Sequence, residues 1–415
     1  MNFQAPKGVS EYVPPRSAIF EFVRDKLCAP AKRAGYEYME LPVFEDTALF
    51  ARGVGESTDI VTKEMYTFDD RGGRSLTLRP EGTAGVMRAV IEHGLDRGQL
   101  PVKALYAGAY FRAERPQKGR YRQFYQVGIE AIGLEDPLID AEVIWLADQA
   151  FKDIGLTNYR LEITSLGDAE SRAAHRKELL KYFETLELDE ATAARAKINP
   201  LRLFDDKRPE MIILMDKAPA LLDYLNEKSK AHFQRVLKYL DDLGIRYQIN
   251  KKLVRGFDYY TGTTFEFIHE GLGSQSAIGG GGRYDKLMSE LGGQDLSGIG
   301  WGLGVDRTIL AAESEGVIPV DLGNPDLFII PLGSESSLHS AALNLAVKLR
   351  NDGKVVEIAF GERALKGAMK AADKSGAKYL IVLGESEISS GEVEIKTMSS
   401  GATKKVRISD LIKEI

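Results

Sequence analysis

Residues 103–132 read KALYAGAYFRAERPQKGRYRQFYQVGIEAI: two strand-like segments, Lys103–Phe111 and Phe124–Ile132, on either side of a polar, strongly basic stretch. Upstream, Glu64–Phe68 and Ser75–Leu78 are shorter segments of the same kind. Gly-rich turns separate them, and only Thr83–His93 reads as a helix in between. This succession predicts an antiparallel sheet rather than βαβ repeats.

Working outward, residues 16–34 read as an amphipathic helix with Ile19, Phe20, Val23, Leu27 and Ala31 at helical spacing. Gly35 suits the helix stop, and Tyr36–Phe44, carrying Pro42, reads as a strand. The character changes near residue 165. Arg172–Leu186, Ala220–Lys228 and Ala231–Leu243 are charged, amphipathic and free of glycine, which predicts a helical insertion over about 168–240. Strands resume at Tyr247–Val254 and Thr263–His269, and Glu315–Asp326 reads as a linker. Beyond it the pattern alternates: strand Leu327–Pro331, helix Glu335–Arg350, strand Val355–Phe360, helix Glu362–Ser375, strand Tyr379–Leu383. That alternation predicts a small α/β domain with at least three parallel strands.

The whole chain fits this outline. Its 415 residues suit two or three domains, and 44% hydrophobic with 28% charged residues exclude a disordered polymer. No apolar run approaches the roughly 18 residues of a membrane helix. No basic-then-apolar leader opens the sequence, so a soluble cytoplasmic protein is expected. The single cysteine, Cys28, can form neither an internal disulfide nor a cysteine metal cluster. A net charge of −6 argues against a non-specific nucleic-acid coat but leaves room for RNA held by a local basic surface.

Such a surface is present. Arg112, Arg115, Lys118, Arg120 and Arg122 place five cations within eleven positions between the two strands. Arginine at a strand end suits phosphate, because its planar fork donates two hydrogen bonds at fixed charge. The Lys118–Arg122 tip, with Tyr121 interleaved, can grip a nucleic-acid end by charge and stacking; a solvated hairpin is the plain alternative. Gln126 and Glu130 lie four apart on the second strand and so share a face. An amide and a carboxylate where core packing would favour apolar residues suit an ammonium or imidazole ligand.

Three further segments carry chemistry. In Thr77–Thr83, Pro80 and Gly82 shape a turn into a helix that Thr83 can cap, with Glu81 either a capping carboxylate or, with Thr83, a ligand for an amine. Leu253–Gly262 places Arg255, Tyr259 and Tyr260 in a glycine-bounded turn, followed by the run Gly279–Gly282 before Arg283 and Tyr284. Four consecutive glycines point to close backbone approach to a ligand or strand, with a flexible loop as the plain alternative; no Gly-Lys-Ser/Thr follows, so this is no Walker loop. In Gly298–Gly304, glycine at alternate positions bares one strand face, against which a flat ring such as adenine could lie. Arg307 opens the next helix, Arg307–Glu313, where a phosphate could sit.

Taken in order, Glu81–Thr83, Phe111–Phe124, Gln126–Glu130, Leu253–Tyr260, Gly280–Tyr284 and Gly302–Arg307 resemble the histidyl-tRNA synthetase family, over essentially the whole chain. The resemblance implies an α+β fold: an antiparallel class II catalytic sheet flanked by helices over 1–320, with the helical insertion, and an α/β anticodon-binding domain over 326–415. It implies a homodimer, with the region around Pro42 at the interface, no membrane, and L-histidine, ATP with Mg²⁺, and tRNA(His) as partners. Histidine would form histidyl-adenylate and pyrophosphate, then pass to the 3′ end of its tRNA. Carried over by position, Glu81, Thr83 and Gln126, with Gly82, resemble the α-amino ligands. Glu130, Tyr260 and Tyr284 resemble the imidazole readers, with Tyr259 lining the pocket. Arg112 resembles the α-phosphate arginine and Arg307 the γ-phosphate one, with Glu114 also at the nucleotide. Arg255 takes the place of the arginine that contacts both α-phosphate and substrate carboxylate. Arg115, Gln117, Lys118, Arg120 and Arg122 match the loop that approaches the tRNA acceptor end.

The motifs offer no His/Asp/Ser triad, which accords with catalysis by positioning and charge. The rival is a paralogue, the regulatory subunit of ATP phosphoribosyltransferase, which shares Tyr259–Gly262. It generally lacks the last domain and has a degraded loop, whereas Asp326–Ile415 and Pro116–Arg122 are intact here.

Overall fold

The computed structural model describes residues 3–55, 58–206, 208–361 and 364–415, which divide into two compact units, Met1–Ile318 and Pro319–Ile415. The first is built on a sheet of eight strands: β1 Glu37–Tyr38, β2 Val102–Phe111, β3 Gln123–Ile132, β4 Tyr159–Ser165, β5 Tyr247–Ile249, β6 Thr261–His269, β7 Ala277–Tyr284 and β8 Gly298–Gly304. Their order across the sheet is β1-β2-β3-β8-β7-β6-β4-β5. Only the outer pairs β1/β2 and β4/β5 run parallel, so the sheet is antiparallel where the hairpin 103–132 predicted it. The hairpin itself pairs Val102 with Ile132 at one end and Phe111 with Gln123 at the other.

Alternation along the strands gives the sheet two unlike faces. Leu105, Ile129, Phe265, Phe267 and Trp301 point to helices α1 (Arg16–Arg33) and α3 (Pro137–Ile154), meeting Val23, Leu27, Ile144 and Phe151 in the main core. Each such side chain contributes about 1.5–3 kcal/mol of burial. Tyr106, Tyr110 and Tyr284 point the other way, toward α2 (Thr83–Glu92) with its Val86, Met87 and Val90. That face is buried yet rich in hydroxyls, and the polar groups singled out in the sequence gather there.

Several elements differ from expectation. Helix α3 went unanticipated, because eleven of its eighteen residues are buried and only a narrow polar stripe, Glu142, Gln149, Lys152 and Asp153, marks its period. Its ends are nevertheless marked: Asp136 caps Leu138 N–H at 2.9 Å, and Gly155 adopts φ 103° beyond it. The expected strand Tyr36–Phe44 breaks around Pro42, which has no N–H for a ladder. Phe44–Asp46 instead joins Ser75–Leu78 and Tyr66–Asp69 in a separate three-stranded sheet. The strand expected over Tyr247–Val254 ends at Ile249, because Asn250 Oδ1 accepts from Lys252 N at 2.9 Å and turns the chain.

The predicted helical region contains α4 (Ala169–Glu184), α5 (Glu190–Ile198), α6 (Pro209–Asp216) and α7 (Glu227–Asp242). Leu179, Phe183, Ala196, Leu203, Met211 and Met215 form a small core of its own. Helix α7 leaves that core and puts Val236 and Leu240 into the main one, while Ala220–Lys228 is a 3₁₀ turn, Leu221–Tyr224, before Asn226 caps α7. Helix α8 (Val305–Glu315) follows β8 directly.

The second unit carries parallel strands Val356–Ile358, Leu327–Pro331 and Tyr379–Leu383, flanked by helices Ser336–Asn351 and Leu365–Ser375. The start expected for the second helix at Glu362 lies outside the described residues. An antiparallel hairpin, Glu392–Thr397 with Thr403–Arg407, extends the sheet beyond the predicted three strands.

Candidate functional site

The hydroxyl-rich face of the sheet holds a cavity of about 300 Å³. Its floor is main chain. A Cβ added at Gly280 would lie 2.9 Å from Arg255 Nη1, and one at Gly282 would lie 2.9 Å from Tyr260 Cδ1. The glycine run therefore permits close approach, as expected, but the approaching groups are the protein's own: the Phe265 and Thr263 carbonyls of the next strand and the side chains of Arg255 and Tyr260. The bared face of β8 is likewise filled at its start, by Tyr284 over Gly298 and by Glu130 over Gly300. Only from Gly302, 3.3 Å from Gln126 Nε2 by the same construction, does that face stay open toward the cavity.

At one end of the cavity lies Glu130, 1% exposed. Its Oε1 accepts from Thr83 Oγ1 at 2.8 Å and Tyr106 Oη at 3.0 Å, and its Oε2 accepts from Tyr284 Oη at 2.6 Å. Burial pushes its carboxyl up to about 8, against the opposing pull of these three hydroxyls. Glu81 is also buried and raised by burial. It caps α2, accepting from Thr83 N at 2.7 Å and Ala84 N at 2.9 Å. Thr83 is thus not the cap; its hydroxyl serves Glu130, and Gly82 occupies the capping position. Tyr259 stacks on Phe257 at 5.2 Å and meets Tyr284 edge-on at 5.9 Å, and Tyr260 lies 4.7 Å from Tyr259. Burial holds all three tyrosines above their usual range, so each is a neutral hydroxyl at neutral pH.

Three arginines line the rest. Arg112 donates from Nε to Pro80 O at 3.0 Å and lies over the rings of Phe124 and Phe257 at 5.1 and 5.6 Å. Enclosure lowers its pKa without discharging it. Arg255 pairs with Glu266; its Nε is buried without a hydrogen-bond partner among the described residues. Arg307 donates to Gly119 O at 2.6 Å, Ala277 O at 2.8 Å and Gln275 Oε1 at 2.9 Å. Burial and neighbouring Arg112 lower its pKa.

The basic loop divides in two. Arg115, Gln117 and Lys118 are exposed beyond the cavity, at a turn closed by Gln117 N to Arg120 O at 3.0 Å. Arg120 turns inward to pair with Glu114, and both line the cavity together with Tyr121. Arg122 bonds Glu114 O at 3.3 Å and Lys7 O at 3.5 Å, bracing the loop base rather than its tip. The expected acceptor-end set Arg115, Gln117, Lys118, Arg120 and Arg122 is thus split: the first three are exposed, while Glu114 and backbone carbonyls engage Arg120 and Arg122.

The structure thus brings Glu81, Gly82, Thr83, Arg112, Glu114, Gln126, Glu130, Arg255, Tyr259, Tyr260, Tyr284 and Arg307 around one cavity. It adds Tyr106, Phe257, Glu266 and Asp306, which the sequence reading missed. Tyr106 and Glu266 become legible only from strand register, through Tyr106 opposite Gly128 and Glu266 opposite Gly280. Among the described residues no three His, Cys, Asp or Glu side chains gather as a metal cage. A carboxyl-and-hydroxyl end suits a nitrogen-bearing ligand, and the arginine arc suits phosphates.

Known proteins resemble this chain in sequence and fold. A model of the histidyl-tRNA synthetase family matches residues 8–308, and one of an anticodon binding domain matches residues 326–415. The histidine–tRNA ligase of Nocardia farcinica is 58% identical over 411 residues, covering 99% of this chain and 97% of that protein. That of Mycobacterium tuberculosis is 59% identical over 414 residues, covering 100% and 97%. Apo histidyl-tRNA synthetase of S. aureus superposes with a TM-score of 0.81 at 36% identity, covering 100% of this chain and 99% of that one. With the synthetase model spanning the sheet, the cavity and the basic loop, the chain belongs to the histidyl-tRNA synthetase family.

Proposed function

We propose that this chain is a histidine–tRNA ligase: it activates L-histidine with ATP to histidyl-adenylate and transfers the histidyl group to the 3′ end of tRNA(His). The observation that carries the reading is the polarity of one cavity, with Glu130 and its hydroxyls at one end and Arg112, Arg255 and Arg307 around the rest. Glu81, Thr83 and Gln126, beside the Gly82 backbone, hold the substrate's α-amino group. Glu130 and the hydroxyls of Tyr260 and Tyr284 read the imidazole, with Tyr259 as the wall. An analogue lacking ring nitrogens would leave these buried groups unpaired, which rejects it.

The nucleophile is the histidine carboxylate, already an anion, so the first step needs no protein base. Its oxygen forms a bond to the α-phosphorus of ATP as the bond to pyrophosphate breaks. The work left to the protein is alignment and neutralisation of charge. Arg112 and Arg255 serve the α-phosphate and the attacking carboxylate, and Arg307 the γ-phosphate, with Glu114 near the nucleotide. Mg²⁺ accompanying ATP would supply further neutralisation of phosphate charge; Glu81, Glu130, Glu266 and Glu114 are already engaged by N–H, hydroxyl or arginine partners. A hydroxyl of the tRNA 3′ end then attacks the adenylate carbonyl and AMP leaves.

Residues 1–320 are assigned to catalysis and 326–415 to anticodon binding, and the outer loop cations Arg115 and Lys118, with Gln117, to the acceptor end. Exposed Tyr38, Val43, Phe44 and Phe68 support a homodimer that covers them. Among the described residues no helix is long and apolar enough to cross a membrane, and a translation enzyme of this kind works in the cytoplasm. The test is exchange of labelled pyrophosphate into ATP, without tRNA. Exchange with histidine and no other amino acid is expected; histidine binding without exchange would point instead to the regulatory paralogue.

A further inference from the structure

The turn that carries Arg255, Tyr259 and Tyr260 is held from outside the cavity by the helical region. Along it, the side chains of Arg255, Phe257 and Tyr259 line the cavity, whereas Asp258 faces away toward α5 and the turn after it. Arg202 Nη2 donates to Gly256 O at 3.0 Å and to Asp258 Oδ1 at 2.8 Å, and Asn199 Nδ2 donates to the same oxygen at 3.0 Å. From α4, Arg172 Nη1 donates to Tyr260 O at 3.2 Å. On the opposite side Asp258 N donates to Val54 O at 3.3 Å, so the turn is clasped between two elements. None of these donors reaches the cavity, yet each fixes a residue that lines it or is adjacent to one that does.

We infer that Arg202, with Asn199, is a positioning residue for the amino-acid site, through which the helical region sets the placement of Arg255 and Tyr259. The inference deepens the proposed ligase reading and rests on it. Phe257 transmits the effect: it stacks on Tyr259 and lies under Arg112, so a shift of Gly256 or Asp258 moves the ring on which both rest. Arg202 lies in the short 3₁₀ segment Pro200–Asp205, whose Leu203 is packed into the small helical core. Displacing that core, as docking of a bulky substrate against it would, therefore reaches the histidine side of the cavity through two side chains. The first step is thereby sensitive to the helical region before any tRNA is present.

The test compares the unaltered full chain with Arg202→Ala, Arg202→Lys and Asn199→Ala in tRNA-free pyrophosphate exchange, varying histidine and ATP separately. Removing a charged hydrogen-bonding partner should raise KM for histidine about tenfold in Arg202→Ala, with a smaller rise in KM for ATP, whose α-phosphate Arg255 and Arg112 also serve. Arg202→Lys, which keeps the charge at Asp258 but loses the fork, should fall between. Adding Asp258→Asn to Arg202→Ala should cause much less than the sum of the two single effects. Amide exchange of residues 253–262 should accelerate in Arg202→Ala with the thermal midpoint unchanged. An unaltered histidine KM, an equal rise in both KM values, or unchanged amide protection of this turn would overturn the inference. Absence of exchange in the unaltered chain would instead refute the ligase reading, and amide protection alone would then decide whether Arg202 positions the turn.

Discussion

Tyr284 Oη donates to Glu130 Oε2 at 2.6 Å, although 154 positions separate the two residues. They stand on β7 and β3, with β8 between them, and β8 offers Gly298 opposite Tyr284 and Gly300 opposite Glu130. The hydroxyl and the carboxyl therefore meet above a strand that has no side chain in the way. On the far side, Gly128 leaves room in the same manner for the ring of Tyr106, the second hydroxyl on Glu130.

That pair gives the ligand-free protein a pH signature. Glu130 titrates near 8 when folded, against an ordinary 4.5. Between those values the folded chain holds a proton that the unfolded chain has lost, so stability declines as pH rises. The contribution is whole below about 4.5 and gone above about 8. The thermal midpoint should therefore fall more steeply between about pH 5 and about pH 8 in the unaltered chain than in Glu130→Gln. Parallel slopes in the two proteins would show that Glu130 is already ionised. The same substitution should cost about 2 kcal/mol of histidine affinity, roughly thirtyfold in KM.

Arg255→Ala should slow adenylate formation about 10²–10³-fold, since a preorganised donor to developing phosphate charge is typically of that size. Arg255→Lys should recover little, because a point charge cannot reach carboxylate and phosphate together. Single-turnover formation of adenylate measures this directly. Affinity for tRNA should stay within about twofold, and near-normal activation would remove Arg255 from the reaction.

Two glycine substitutions should move stability in opposite directions. At Gly300 a Cβ would overlap the Glu130 carboxylate and the Ile129 carbonyl, so Gly300→Ala should cost about 1–3 kcal/mol and weaken histidine binding. In α2, a Cβ at Gly85 would be 3.7 Å from Leu41 Cδ1, an ordinary contact, so Gly85→Ala should stabilise by about 0.5–1 kcal/mol. Urea unfolding midpoints read both.

The divided loop separates two phenotypes. Arg115→Ala and Lys118→Ala, exposed beyond the cavity, should lower kcat/KM for tRNA and flatten its salt dependence, leaving tRNA-free exchange unaltered. Arg122→Ala, which unbraces the loop from Glu114 O and Lys7 O, should impair both reactions. If Arg122→Ala affected tRNA alone, the guanidinium would belong to the outer group after all.

Much of this was legible in the residues. The 103–132 hairpin announced itself through two apolar runs, and Gln126 with Glu130 stood out as polar residues on a face that should have been dry. The glycine run announced close approach but not its cause, since the register that sets Gly280 opposite Glu266 is a long-range property. Helix α3 was hidden because burial on most sides erases periodicity. Arg120 and Arg122 resembled their exposed neighbours, and only the folded positions of Glu114 and Lys7 turn them inward. The hold of Arg202 on Asp258 spans 56 positions and has no local signature.

The main-chain floor of the cavity also bears on pharmacology. A compound lying flat on Gly302 would bind peptide groups, which do not vary when a codon does. Any replacement at Gly280 pushes at least a methyl group against Arg255, and any at Gly302 crowds Gln126. A cell that altered this floor to escape the compound would thereby damage its own charging of tRNA, so resistance would have to arise at the rim.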